Sequence, residues 1–450
     1  MSPLDRTLQP ARGAIRHFDF PEVERRPLSQ GLDLRVARLS RLPMVSVNLF
    51  FRAGEAGLSD EWAGLAVLTG DALEGGTKRR SGSALAEALE SIGARTGVTT
   101  GWEGTSVALS CLADRLEEAM PLLIETMRAP DFPEDEVDRV REQQLAALRQ
   151  RKMDPGALAS DEATRRYFAA GQPYARGQGG TEESVGAATT DAMRGYVESN
   201  YRPEGGGLVV VGDLDPDEVE VLAERYLSEW RGAPPAVVDF DPRPPKQERA
   251  IFVVDRPGSV QSEIRVGHVG ASRSTPDYFA LSIGNMLLGG TFTSRLNLNL
   301  REKNGFTYGV RSSFGFRSRP GPFQVSTAVG SEVTADAVRE TLFEMQHLVE
   351  GGATEDEVAA ARDYLAGIFG LQLETAGQIG SRLSQILMHG LDDDYYHRYR
   401  DNVRGVTTEQ VSAAVRAHMR PDEVQIVVVG DAEAVVGSLQ DLGVGSVTVV

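Results

Sequence analysis

The 450-residue chain is expected to fold as an α+β protein of two similar, duplicated domains, each a largely antiparallel sheet packed with helices. Three observations predict this. Val185–Asp213, VGAATTDAMRGYVESNYRPEGGGLVVVGD, returns as Val403–Asp431, VRGVTTEQVSAAVRAHMRPDEVQIVVVGD, displaced by a constant 218 residues without a gap. An earlier pair also repeats. Arg52–Thr77 runs RAG, a helical pattern, then GGT, and Arg265–Thr291 runs RVG, a helical pattern over Tyr278–Leu288, then GGT. A unit this long is a domain duplication rather than a solenoid repeat. Finally, alternating β-branched runs mix with long amphipathic stretches without strict alternation, which favours antiparallel sheets over a doubly wound parallel one.

Taken in order, residues 1–231 form the first domain. Its strands are expected at Val45–Phe51, Thr105–Ser110 and Leu208–Val211, and its clearest helix at Glu134–Arg151. Residues 232–249, GAPPAVVDFDPRPPKQER, are Pro-rich and polar and read as an extended linker. Residues 250–450 form the second domain, with strands at Ile251–Val254, Ile264–Val266, Phe323–Thr327 and Gln425–Val429 and helices at Ala335–Glu350 and Glu355–Phe369. In the long repeat, Thr190 and Thr408 are candidate N-caps, each followed by an acid suited to a first helical turn.

Composition narrows the function. The chain is 41% hydrophobic, enough apolar side chain for more than one core, and carries a net charge of −18 spread along its length. Nucleic acid and anionic membrane surfaces both select basic patches, so neither is an expected partner. Cys111 stands alone inside the apolar run VALSCL and reads as a small core residue; no intrachain disulfide or thiolate metal cluster can form. The first residues, MSPLDRTLQPARG, lack an apolar h-region, and no apolar run is long enough to insert in a membrane. The chain as given is expected in the cytoplasm, or in the periplasm or outside the cell if a leader has been removed.

Two stretches carry a family resemblance: GLAVLTGDALEGGT (Gly64–Thr77) and LLGGTFTSRLNLNLREKNGFTYGV (Leu287–Val310). Over about residues 25–435, the chain resembles the pitrilysin/insulinase/processing-peptidase family of zinc endopeptidases, the inverzincins. In that family the first half carries H-x-x-E-H on a helix. Two His at i and i+4 bind zinc, the Glu activates water, and a downstream Glu completes the ligand set. The frame around that motif is kept here at Gly64, Leu65, Ala66, Leu68, Leu73, Gly76 and Thr77. Its chemistry is not. The first His position is Val67, the Glu position Gly70 and the second His position Asp71. In the downstream helix Glu142 fills the first acid position, while the ligand position falls on Arg149.

Asp71 and Arg149 are then the charges left at the vacated site, and they are candidates to pair across it. Only His17 lies in the first half, and His268, His347, His389, His397 and His418 show no i, i+3 or i+4 pairing. The reading is therefore no metal in this chain and no peptide hydrolysis by it alone. The resemblance implies that Arg301 and Tyr308 are the Arg/Tyr pair that binds the substrate carbonyl and stabilises its oxyanion, both being hydrogen-bond donors suited to developing negative charge. It also implies strand addition of substrate at a sheet edge, here Ala94–Gly101; Gly97 and Gly101 weaken that strand and argue against peptide capture there.

The family includes pairs in which one subunit keeps zinc and the other keeps Arg/Tyr. The resemblance thus implies half of a clamshell, a heterodimer with a zinc-bearing paralogue, and unfolded peptides or short proteins as substrates. The alternatives are a catalytically silent scaffold subunit of a larger assembly and a peptide-binding module without proteolysis.

Overall fold

The computed structural model describes residues 13, 17–232, 238–245 and 247–450. Parts of the expected linker, 233–237 and 246, and most of the N-terminal stretch read for an h-region lie outside the described residues.

Six strands of the first half form one sheet: β1 (Val23–Pro27), β2 (Asp33–Arg38), β3 (Met44–Phe51), β4 (Arg95–Thr100), β5 (Thr105–Leu112) and β6 (Gly207–Gly212). Six of the second half form another: β7 (Ala250–Asp255), β8 (Gln261–Val269), β9 (Val310–Phe314), β10 (Pro322–Gly330), β11 (Gln425–Gly430) and β12 (Ser446–Val449). The spatial orders are β1-β2-β6-β3-β5-β4 and β12-β7-β11-β8-β10-β9. With the outermost β1 and β12 set aside the orders coincide, so the sequence repeat is a repeat of topology. Pairing is parallel for β2 with β6, β7 with β11 and β7 with β12, and antiparallel elsewhere. The sheets are thus mixed, with antiparallel pairs in the majority. The repeated apolar strands β6 and β11 are buried at every residue, which is why they read as continuous apolar runs rather than alternating ones.

The helices of the long repeat span Thr190–Asn200 and Thr408–His418. Their caps fall one residue earlier than expected: the hydroxyls of Thr189 and Thr407 accept the N–H groups of Ala192 and Gln410. Both cap residues have extended backbone, so Thr190 and Thr408 already sit inside the helix.

Each half packs its own helices on one face of its sheet to form a core. The other face is covered by an exchanged helix. Helix Pro155–Tyr167, from the first half, lies on β8 and β11, where Ala159, Ala163 and Tyr167 meet Val269, Val427 and Val429. Helix Ala376–His389, from the second half, lies on β3 and β6, where Ile379, Leu383 and Ile386 meet Ala37, Val209 and Val211. The arginines of the RAG/RVG pair grip these visitors. Arg265 donates to Ser160 Oγ at 3.0 Å and Gly156 O at 2.9 Å, and Arg52 to Leu387 O at 2.8 Å and Met388 O at 3.2 Å. Arg52 therefore meets the C-terminal carbonyls of its helix, the end that favours a cation.

The edge strands β4 and β9 run toward the seam between the halves. There Glu103, in the turn after β4, accepts hydrogen bonds from Tyr174 Oη at 2.7 Å and Ser318 N at 3.0 Å. The buried guanidinium of Arg317 stacks 4.7 Å from the Trp102 ring and 4.4 Å from the Tyr174 ring.

Candidate functional site

The first-half frame folds as helix Leu65–Ala72. It starts at Gly64, whose φ of 84° and distance of 2.5 Å from an added Cβ to Gly179 O exclude a side chain. Gly64 has no side chain to cap the helix, and the cap comes from outside. The fully buried Glu55 accepts the N–H groups of Gly64 at 3.0 Å and Val67 at 3.2 Å. Burial pushes the Glu55 carboxyl up from its ordinary value, and the two N–H groups offset only part of that. Sequence reasoning missed Glu55. Its signal was slight: a lone acid just after Arg52-Ala53-Gly54, between a strand and a helix.

Val67 is half-buried, Gly70 buried and Asp71 exposed. Gly70 lets the helix close onto β4. A Cβ added there would lie 2.4 Å from Thr100 Oγ1 and 3.3 Å from Val98 Cγ1. A glutamate at this position requires Thr100 to turn away and Val98 to yield. Partial desolvation raises the Asp71 carboxyl, which has no ion pair among the described residues.

The expected Asp71–Arg149 pair is not formed. Arg149 instead meets Glu182 at 3.1 Å, and Lys152 meets the same carboxylate at 2.5 Å. The reason is local. Helix Glu182–Ala187 packs on helix Glu134–Met153, and Glu182 in its first turn faces both cations. Glu142 is exposed. Among the described residues no group of three or more His, Cys, Asp or Glu comes together to hold a metal. The donors present do not fit the zinc that the family frame implies.

β4 forms in spite of Gly97, because it pairs with β5 along its whole length, from Arg95 opposite Ser110 to Thr100 opposite Thr105. Its free edge is nevertheless occupied at one end, where Gln178 Nε2 donates to Thr100 O at 2.5 Å. Thr96 Oγ1 bonds the Glu74 carboxylate nearby.

The second-half motif builds a different place. Helix Tyr278–Asn285 continues into a wide π-turn, Met286–Gly290, and a second π-helical segment spans Asn297–Lys303. Such turns are rare and recur at functional sites. Together with β9 and helix Glu355–Leu371 they enclose a cleft of about 1230 Å³ lined by both Arg301 and Tyr308. Val67, Gly70, Asp71 and Arg149 do not line it.

Arg301 is half-buried, its guanidinium 4.2 Å from the Phe292 ring and 3.3 Å from Glu302. Tyr308 sits in the turn before β9 with 94% of its surface exposed. Across the cleft, Glu357 is gripped by Arg295 through two bonds of 2.7 Å. Burial pushes the Glu357 carboxyl up, but Arg295 and the N–H and hydroxyl of Thr354 outweigh it and hold the carboxyl at about 2.

Comparison with known proteins identifies the family and supports the fold. The insulinase (peptidase family M16) model matches residues 36–172, and the peptidase M16 inactive-domain model matches residues 187–365. The chain belongs to the M16 peptidase family. A crystal structure of an M16 inactive domain from Pseudomonas fluorescens superposes with a TM-score of 0.86 at 28% identity, covering 91% of this chain and 98% of that one. A protease from Helicobacter pylori shares the fold, with a TM-score of 0.82 at 18% identity over 91% of this chain and 99% of that one.

Among sequence relatives, a non-peptidase homolog of Helicobacter pylori is 24% identical over 87% of this chain and 90% of its own length. An uncharacterized zinc protease of Streptomyces coelicolor is 28% identical over 69% of this chain and 68% of its own length. Within the M16 family this chain is an inactive member. No helix among the described residues is long and apolar enough to cross a membrane.

Proposed function

We propose that this M16 protein is the Arg/Tyr-bearing, non-catalytic subunit of a two-chain zinc-dependent endopeptidase. Its partner is a zinc-bearing paralogue of similar size, and the two halves close like a clamshell around unfolded peptides or short proteins. The observation that carries the reading is the contrast within one chain. Gly70 has let the family's metal-bearing helix close against β4, while Arg301 and Tyr308 still line one open cleft.

The chemistry of that pair suits acyl transfer. When a peptide carbonyl is attacked its oxygen gains negative charge, and a guanidinium and a phenol hydroxyl aimed at it lower that energy. Tyr308 is almost fully exposed, so its hydroxyl is free to meet a group presented by another molecule. Arg301 is steadied on Phe292, which restricts a long side chain before substrate arrives. The name of the Helicobacter relative, a non-peptidase homolog, is consistent with a chain that does not cut by itself.

Co-expression with a zinc-bearing paralogue tests the proposal. The two chains are expected to purify together and to cleave a quenched fluorogenic peptide, while each alone is silent. Cleavage of equal rate by the paralogue alone would remove the reason for a second subunit and leave a scaffold role.

A further inference from the structure

We infer that Asn297 is the positioning residue of the Arg301/Tyr308 pair, and this rests on the function proposed above. Asn297 is buried in the first turn of the segment that carries Arg301. Its side-chain amide joins three pieces of the cleft. Nδ2 donates to Val310 O at 2.8 Å and to Thr291 O at 3.1 Å, with Ser294 Oγ also 3.1 Å away. Oδ1 accepts the Val310 N–H at 3.2 Å. Asn297 thus pairs with Val310 as a neighbouring strand would, giving and taking one bond each with its backbone. Val310 lies two residues beyond Tyr308 and is the first residue of β9.

The near side of Tyr308 is held as well. Thr307 Oγ1 bonds both the N–H of Gly309, at 3.1 Å, and its carbonyl, at 2.9 Å. Thr327 Oγ1 on β10 donates to Thr307 Oγ1 at 3.0 Å. The Tyr308 backbone is therefore fixed on both sides while its ring stands in solvent. Ties reach the element bearing Arg301 on both sides: the Phe306 N–H on the Leu300 carbonyl at 2.8 Å, on the near side of Tyr308, and Asn297 on the far side. The Asn297 amide is the side-chain tie on the far side of Tyr308, and two donors that must meet one oxygen need both sides held, since misplacement by about 1 Å costs roughly 100-fold in rate. A valine of similar size keeps the packing and removes every bond.

A double-mutant cycle on the co-purified two-chain peptidase reads this directly. Asn297→Val is expected to lower kcat about 10-fold with KM changed less than twofold. Combined with Tyr308→Phe it is expected to add little to the Tyr308→Phe effect, since a misplaced hydroxyl and an absent one are equivalent. Effects that multiply fully would overturn the assignment, because they describe general damage rather than action through Tyr308.

A second arm needs no partner. In the chain alone, amide hydrogen exchange across residues 304–310 is expected to speed up at least 10-fold in Asn297→Val while helix Thr334–Gly351 is unchanged. Unchanged protection of 304–310 would overturn the assignment, whatever the peptidase assay shows. If Arg301→Ala and Tyr308→Phe both leave turnover intact, the subunit reading fails, and the exchange arm still decides the role of Asn297.

Discussion

Helix Leu65–Ala72 and the segment Leu287–Val310 are the two stretches that carry the family resemblance, and the structure builds them in opposite ways. In the first, Gly70 lets the helix close onto β4; in the second, a guanidinium and a phenol stand at the wall of a cleft. The difference shows what a conserved-looking frame holds in place. Around the first helix, Glu55 caps the N-terminus, and the GGT turn ends in Thr77, whose hydroxyl accepts the N–H groups of Arg79 and Arg80 and bonds Glu125. Those contacts serve the fold whether or not the helix bears a metal ligand. Around the second segment, Phe292 and Tyr308 are large and exposed, which packing alone does not require.

Removing the external cap should have the largest effect. Glu55→Ala leaves two buried N–H groups without an acceptor and is expected to lower the unfolding free energy by about 2–3 kcal/mol in urea titration. Glu142→Ala, at an exposed position of the same family frame, is expected to change it by no more than about 0.5 kcal/mol. Equal effects would mean that the frame is not held by its cap.

Next is the closed helix. Gly70→Glu is expected to cost about 1–3 kcal/mol through crowding against Thr100 and Val98. The fourfold change Val67→His, Gly70→Glu, Asp71→His and Arg149→Glu is expected not to take up stoichiometric zinc in a chelator-competition titration. Tight zinc binding by that variant would show the site to be open after all.

The two regions should also answer pH with opposite signs. Glu357, held at about 2, contributes stability that is full above its unfolded value of 4.5 and is lost as pH falls toward 2. Glu55, raised above 4.5, contributes stability that is full below that value and is lost as pH rises through its folded value. In urea titrations across pH, Glu357→Gln should flatten the acid-side loss, and Glu55→Gln the loss on the other side. The same sign for both would contradict the burial and pairing described.

The smallest effect should come from Arg149→Ala, which removes an exposed ion pair with Glu182 and is expected to leave the urea midpoint essentially unchanged.

Much of the fold was legible because it is local. Strands β3, β6, β8 and β11 follow apolar runs, and helices Glu134–Met153, Thr334–Gly351 and Glu355–Leu371 follow the helical period. The paired threonines announced a cap but not which of the two takes it, since either hydroxyl can serve until the backbone direction is fixed. The exchange of helices Pro155–Tyr167 and Ala376–His389 left no local trace, because an apolar face does not say which sheet will cover it.

The site divides in the same way. Val67, Gly70 and Asp71 were singled out by the family resemblance along one helix, and so were Arg301 and Tyr308, seven residues apart within one stretch. Glu55 and Asn297 were invisible, since a polar residue becomes structural only when distant segments bury it. Arg149 was misread for the same reason: its partner, Glu182, lies on another helix.

The most direct test of the divided-labour account is kcat for peptide hydrolysis by the co-purified pair carrying Arg301→Ala in this chain. One donor to an oxyanion is worth about 2.7–4 kcal/mol, so a fall of about 100-fold or more is expected, with the zinc content of the partner unchanged. A kcat equal to that of the unaltered pair would contradict the account and leave Arg301 a surface residue stacked on Phe292.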